Sequence, residues 1–356
     1  MSKLLMKGNE AIARAAMLGG CEAFFGYPIT PQNEIPEYLS EAMPAAGKIF
    51  LQAESEVASI NMVYGAAGAG FRVMTSSSSP GIALMQEGIS YIAGAELPCV
   101  LVNVMRGGPG LGGIQPSQAD YKQITRGGGN GDYRVLSYAP ENLQETVDLL
   151  KEAFDIADTY RNPVMIAVDG LIGQMMESVD LNRPSPVRPK VSKPWATTGH
   201  GRGEQRNIIN SLYLDPGELE QHNLSIAEKY KIIKEKEVRY EAYQLEDADY
   251  VIVAYGTMAR ICRSAIEILA ESNIKVGMIR PITLWPFPMK AFQSISPKTK
   301  GILCAELSLG QMIDDVRIAV EGAFPIAFFG RAGGMMPEPN EIVNAIHHFP
   351  KGGDAL

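Results

Sequence analysis

The sequence predicts an α/β protein made of two successive units, each a parallel sheet with helices on both faces. Three observations carry this prediction. Short apolar runs alternate with helix-length stretches from residue 20 to about 170, and the same alternation resumes after residue 250. The run Val100-Leu-Val-Asn-Val-Met105 is almost continuously apolar, as a central strand buried on both faces requires. At 356 residues the chain can supply two cores, at ~150 residues per domain.

The elements follow in order. Strands are expected at Ala23 to Gly26, Ile49 to Gln52, Val73 to Thr75, Val100 to Met105 and Val164 to Val168. Helices are expected at Gln32 to Ala42, Glu56 to Ala69, Gly81 to Ala93 and Glu141 to Thr159. A composition break follows: residues 182 to 194 contain Pro184, Pro186, Pro189 and Pro194, and residues 228 to 250 carry twelve charges in 23 positions. The first stretch reads as an extended connector and Ile226 to Tyr243 as a solvated helix, its charges facing water or a partner. A second α/β pattern begins at Tyr250-Val-Ile-Val-Ala-Tyr-Gly256. It continues with a helix over Met258 to Ala270, strands at Lys275 to Ile279, Gly301 to Ala305 and Ile326 to Phe329, and helices near 309 to 321 and 339 to 347. The expected organisation is a first domain over 1–181, a connector with a helix over 182–246 and a second domain over 247–356.

Composition removes several function classes. With 32 Lys+Arg against 40 Asp+Glu the net charge is −8 and the pI about 5.2, so the basic footprint of a nucleic-acid binder is absent. No apolar run approaches the ~18 residues of a membrane span, and the start lacks a signal peptide's apolar core, which points to the cytoplasm. Cys21, Cys99, Cys262 and Cys304 are dispersed with no Cys-x-x-Cys, so the chain is expected to ligate no metal and to bury four reduced thiols. Phosphate-loop, nucleophile-elbow and His-Glu-x-x-His motifs are missing.

Three features could carry chemistry. From Val57 to Ala95 only Arg72 and Glu87 are charged, so most of this segment must be buried in a core or against another subunit. It is entered through Gln52-Ala-Glu54-Ser-Glu56. A carboxylate at the mouth of a dry helix either serves proton transfer or simply complements the helix dipole. All four histidines lie after residue 199, so acid–base chemistry in the first domain falls to a carboxylate. Next, Gly26-Tyr-Pro-Ile-Thr-Pro31 follows a strand, and Pro28 and Pro31 restrain Ile29 and Thr30. That places Thr30 where open parallel sheets bind ligands, or in a plain strand-to-helix turn. Finally, nine glycines fall within residues 107–131, behind Arg106 at the end of a strand. Gly108-x-Gly110-x-x-Gly113 follows the fourth strand rather than the first, and Pro116 comes soon after, so a dinucleotide fingerprint is a poor reading. A backbone-rich loop admitting a ligand or a neighbouring chain is better, with Arg106 as a carboxylate or phosphate clamp or as a structural ion pair.

In their order and spacing, Gly26-Tyr-Pro-Ile-Thr-Pro31, Gln52-Ala-Glu-Ser-Glu-Val-Ala-Ser59, Val73-Met-Thr-Ser-Ser-Ser-Ser-Pro-Gly81 and Val104-Met-Arg-Gly-Gly-Pro-Gly110 resemble the α subunit of a 2-oxoacid:ferredoxin oxidoreductase. Tyr255-Gly-Thr, Arg280-Pro-Ile-Thr-Leu-Trp-Pro286 and Cys304-Ala-Glu-Leu-Ser308 are similar to the transketolase C-terminal-like domain of that family. The resemblance implies a pyrimidine-binding thiamine-enzyme domain followed by that second domain. It also implies oxidative decarboxylation of a 2-oxoacid, with thiamine diphosphate shared between chains. A β subunit would hold the diphosphate through Mg²⁺ in a Gly-Asp-Gly motif, which this chain lacks. The 4Fe-4S clusters would lie on γ or δ partners that pass electrons to ferredoxin, and coenzyme A would take the acyl group. Carried over, Tyr27, Pro28, Ile29 and Glu56 would bind the cofactor, Glu56 rather than Glu54 acting on its aminopyrimidine. Thr30 and Arg106 would hold the substrate, so the implied catalytic set is Glu56, Thr30 and Arg106, with no metal ligand. The branched-chain 2-oxoisovalerate enzymes are most similar and the 2-oxoglutarate enzymes come second. The latter want another cation, for which Arg126 is a candidate. A thiamine enzyme half not coupled to ferredoxin is a further alternative.

Overall fold

In the computed structural model, which describes residues 3–186, 188–201 and 206–349, seven strands form the first sheet. Its order is Thr283–Trp285, Leu136–Tyr138, Pro163–Asp169, Cys99–Met105, Val73–Ser77, Ala23–Gly26 and Ile49–Gln52. All pairings are parallel except that of Thr283–Trp285 with Leu136–Tyr138. Cys99–Met105, the continuously apolar run, is buried at every position between Val73–Ser77 and Pro163–Asp169. The helix Gly8–Leu18, which the strand–helix alternation did not anticipate, covers one face together with Leu143–Tyr160. Helices Glu56–Gly68 and Ser79–Gly94 cover the other, and Gly88 lets Ile60 approach closely enough that an added Cβ would sit 2.5 Å from its Cγ2.

The second sheet runs Ile326–Gly330, Gly301–Glu306, Tyr250–Val253, Val276–Pro281 and Tyr240–Tyr243, parallel except for the last strand. Helices Gly256–Glu271 and Pro339–His347 pack over one face of it. Two elements depart from the expectations. The connector helix spans Pro216–Lys236, not Ile226 to Tyr243: the Asp215 carboxylate caps Glu218 N–H and Pro216 takes the first turn, while Tyr240–Tyr243 forms the edge strand. Nor is that helix wholly solvated, because Ile226, Tyr230 and Ile233 are buried against the first unit. Likewise the helix expected near 309 is Ile313–Val320. The buried Glu306 carboxylate accepts the N–H groups of Gln311, Met312 and Ile313 and so holds the chain just ahead of it.

Residues 182–194 contain no helix or strand among those described. The two sheets are joined by polar groups that are fully buried. Gln118 Nε2 donates to Tyr255 O at 2.8 Å, its Oε1 accepts from Leu307 N at 2.9 Å, and its own N–H donates to Leu307 O.

Candidate active site

Every predicted site residue follows the carboxyl end of a strand of the first sheet. Thr30 follows Ala23–Gly26, Glu56 follows Ile49–Gln52, the serine run closes Val73–Ser77, and Arg106 follows Cys99–Met105. That edge is where open parallel sheets present ligands.

Glu56 is the first residue of its helix. Ser55 Oγ caps the helix by accepting Ala58 N–H at 3.1 Å, which fixes where the first turn points. Glu56 is buried, 6% exposed, whereas Glu54 is exposed; only the former enters the dry part of the fold. Its side chain rests on the turn Ser77-Ser-Ser-Pro-Gly81. A Cβ on Gly81 would lie 2.1 Å from Ser77 Oγ and 2.6 Å from Glu56 Oε1, so Gly81 is the gap that the carboxylate and hydroxyl occupy. The hydroxyls of Thr75, Ser77 and Ser78 are buried without a hydrogen-bond partner. Of these, Ser77 Oγ shares the Gly81 gap with the Glu56 carboxylate, and buried orphans of this kind are costly unless a ligand satisfies them.

Arg106 lies at the other end of the same turn. Ser79 Oγ accepts Arg106 N–H at 3.0 Å and donates to Asp120 Oδ2 at 2.6 Å, which Asn103 also reaches at 2.9 Å. Burial pushes the Asp120 carboxyl up, and these two hydrogen bonds offset only part of that. The Arg106 guanidinium donates to Thr30 O at 2.7 Å and Leu111 O at 3.1 Å, while its buried Nε has no partner. Arg106 therefore ties the Thr30 loop to the glycine loop, and among the described residues it is in no ion pair.

The glycine loop is ordered by its backbone. Gly107 N–H donates to Gln115 O and Gly113 N–H to Gly107 O. Gly112, at φ +57°, passes so near Gly107 O that a Cβ would sit 1.8 Å from it; no other residue fits. Tyr27, Pro28 and Thr30 are exposed and Ile29 half-buried, and Asn33 Nδ2 donates to Thr30 Oγ1 at 3.4 Å. Thr30, Tyr27, Pro28, Ile29 and Arg106 thus share one corner, and Glu56 reaches it through the serine turn.

Arg126 does not join them. Its guanidinium donates to Asp315 Oδ1 at 2.7 Å, and Asp315 also accepts Tyr121 O–H at 2.5 Å. Ser77, Ser78, Ser79 and Asp120 join the candidate site; the sequence reading took the serine run only as a motif and assigned none of the four a role. The signal was four consecutive serines ending in Pro-Gly after a strand. All four cysteines are free and buried, and burial pushes the Cys21 and Cys262 thiols up to about 12.

Several apolar side chains are exposed: Tyr27 in the loop before Thr30, Ile49 and Leu51 on the edge strand, Val57, Leu84 and Tyr91 on the two helices of the charge-poor segment, and Leu111 and Ile114 in the glycine loop. An edge strand and two helix faces of this kind are what a subunit contact covers. Among the described residues no helix is long and apolar enough to cross a membrane, and no group of three His, Cys, Asp or Glu could hold a metal ion.

Comparison with known proteins gives the family. Residues 14–253 match the family described as pyruvate flavodoxin/ferredoxin oxidoreductase, thiamine diphosphate-binding, and residues 248–342 match pyruvate:ferredoxin oxidoreductase core domain II. The chain is 48% identical to the ketoisovalerate oxidoreductase subunit VorB of Methanothermobacter marburgensis, over 98% of each chain. It is 35% identical to the 2-oxoglutarate synthase subunit KorA of Methanocaldococcus jannaschii, over 96% of this chain and 98% of that one. Among solved structures, a 2-oxoglutarate:ferredoxin oxidoreductase from Magnetococcus marinus superposes with a TM-score of 0.86 at 26% identity; the match covers 97% of this chain and 65% of the longer one. A split-gene transketolase shares the fold, with a TM-score of 0.61 at 15% identity over 96% of this chain and 97% of that one. The chain belongs to the thiamine diphosphate-binding family of pyruvate flavodoxin/ferredoxin oxidoreductases.

Proposed function

We propose that the chain is the subunit of a 2-oxoacid:ferredoxin oxidoreductase that holds the pyrimidine half of thiamine diphosphate, and that its substrate is a branched-chain 2-oxoacid such as 2-oxoisovalerate. The observation that carries the site reading is the buried Glu56 carboxylate lying on Gly81 beside the unpartnered hydroxyl of Ser77, with that of Ser78 also unpartnered in the same turn. A heteroaromatic ring with donor and acceptor edges suits that set. Glu56, Ser77 and Ser78 would hold the ring, with Tyr27, Pro28 and Ile29 along it. When bound, thiamine diphosphate supplies the nucleophilic carbon and electron sink that decarboxylation of a 2-oxoacid requires.

This chain's residues then have separate tasks. Glu56 would hold the ring by a hydrogen bond and give or take its proton, from a buried position where water is scarce. Arg106 keeps the Thr30 loop in place through Thr30 O, and its guanidinium would clamp a substrate carboxylate beside that loop. Thr30 Oγ1 offers a hydrogen bond to the same substrate. Ser79 and Asp120 position Arg106 through its backbone. The diphosphate, its Mg²⁺, the 4Fe-4S clusters and the coenzyme A site are assigned to β, γ and δ partners, with ferredoxin as acceptor and the cytoplasm as location. The open apolar edge supports such an assembly. The branched-chain assignment is supported by the VorB relatives, and 2-oxoglutarate is the second reading, supported by the KorA relatives.

The test is Glu56→Gln in the co-purified complex, assayed by 2-oxoacid-dependent viologen reduction in the presence of coenzyme A. The substitution keeps the shape and removes the ionisable group, so activity should be abolished; full activity would overturn the role of Glu56. A panel of pyruvate, 2-oxoisovalerate and 2-oxoglutarate on the wild-type complex decides the substrate.

A further inference from the structure

A cleft of about 430 Å³ opens beside Thr30, between the glycine loop and the helix Gly170–Gln174. Its apolar walls are Pro31, Ile114, Pro116 and Leu171. Ile114 and Leu171 are 56% and 38% exposed, which is costly for a wall that nothing touches. The charge in the cleft is negative: Glu34 lines it, and among the described residues lining it there is neither lysine nor arginine. The Glu34 carboxylate is firmly held. Asn9 Nδ2 donates to it at 2.7 Å, Gln174 Nε2 donates at 3.0 Å, and Lys7 Nζ is 3.6 Å away. Partial burial pushes its carboxyl up, but the Asn9 and Gln174 hydrogen bonds and its own backbone N–H outweigh this and keep it below the ordinary value. Arg126, which could have served a second carboxylate, is engaged by Asp315.

We infer that this cleft receives the side chain of the 2-oxoacid, that Ile114 and Leu171 provide its apolar contact, and that Glu34 excludes substrates carrying a second carboxylate. The inference rests on the proposed role of Thr30 and Arg106 in holding the substrate's 2-oxo and carboxylate end. The cleft adjoins that end: Thr30 lines it, and Arg106 holds Thr30 O. A branched aliphatic tail would then bury apolar area against Ile114 and Leu171. A dicarboxylate would place two like charges in one partly dry cleft, where Lys7 is already paired with Glu34 and Arg106 is committed to the other end of the substrate.

The experiment compares three forms of the co-purified complex, wild type, Glu34→Gln and Ile114→Arg, by kcat/KM for 2-oxoisovalerate and for 2-oxoglutarate. Glu34→Gln keeps the shape and should raise the 2-oxoglutarate to 2-oxoisovalerate ratio about tenfold by removing the like charge. Ile114→Arg lies on an exposed loop, where folding tolerates it, and should raise the ratio further by lowering 2-oxoisovalerate turnover while supplying a cation. Residual 2-oxoisovalerate turnover confirms that each variant is assembled. If the wild type prefers 2-oxoisovalerate and neither variant moves the ratio, the cleft does not hold the substrate tail and this inference alone falls. A wild type that prefers 2-oxoglutarate also overturns it. If the wild type oxidises no 2-oxoacid, the underlying functional reading falls with it.

Discussion

Replacing Gly81 by alanine would separate the proposed role of Glu56 from the stability of the fold. The new Cβ would meet Glu56 Oε1 at 2.6 Å and Ser77 Oγ at 2.1 Å, whereas ordinary contact begins at 3.4 Å. Oε1 must therefore retreat by about 0.8 Å, and the Ser77 hydroxyl by more. Crowding of this kind costs ~1–3 kcal/mol. Against it stands at most ~1 kcal/mol from replacing glycine by alanine in the first turn of the helix Ser79–Gly94, where the backbone of Gly81 is not left-handed. The net loss of stability is about 0–2 kcal/mol, readable by chemical denaturation. The activity effect should be larger. A misplacement of ~1 Å can cost on the order of 10²-fold, so a shift of this size predicts roughly a 10- to 100-fold loss of 2-oxoacid-dependent viologen reduction in the assembled complex. A Gly81→Ala complex with wild-type turnover would refute the reasoning, because it would show that the position of Glu56 does not matter.

Three further outcomes follow from the same structure. Gln118→Ala leaves Tyr255 O and Leu307 N–H unpaired between the two sheets and should lower stability by roughly 2–4 kcal/mol in chemical denaturation; an unshifted midpoint would show that these bonds add nothing to the contact. Arg126→Ala should reduce stability by about 1 kcal/mol, the pair being partly exposed, and leave the preference among 2-oxoacids unchanged; a selective loss of 2-oxoglutarate turnover would show that Arg126 reaches the substrate after all. The Glu237 carboxyl is pushed up by burial but held lower overall by Arg188, at 2.8 and 2.9 Å, and Tyr160. Its folded value lies below the ordinary 4.5, so its contribution is present above that pH and lost as pH falls through the folded value. Stability of Glu237→Gln should accordingly fall less steeply than wild type below about pH 4.5, and parallel curves would contradict this.

Much of the site could be read from residue order alone because its chemistry is local. Prolines around Ile29-Thr30 and glycines after Arg106 act on the backbone of their own neighbours, and both loops lie where the strand–helix alternation placed them. The serine turn was harder to read. Ser77 to Ser79 look like an ordinary helix start until folding brings Glu56 onto Gly81 and Arg106 N–H onto Ser79. The helix Gly8–Leu18 was not legible because its buried face is built mainly of alanines, whose weak hydrophobicity gives little periodic contrast with the Glu10–Arg14 stripe opposite. Thr283–Trp285 is three residues long, and its pairing with Leu136–Tyr138 is set by how the two units meet rather than by its own composition. The charges of residues 228–250 suggested one long solvated helix, yet Tyr240–Tyr243 took the free edge beside Val276–Pro281.

Ile49–Gln52 ends the first sheet with one side of its backbone unpaired and with Ile49 and Leu51 exposed. Such an edge is a template for any strand that reaches it, including the same strand of another copy. Synthesis of this chain consequently has to keep pace with that of whatever covers the edge. Copies made in excess are the ones expected to precipitate, so yield on expression should depend on gene dosage of the assembly as a whole more than on the intrinsic stability of the chain.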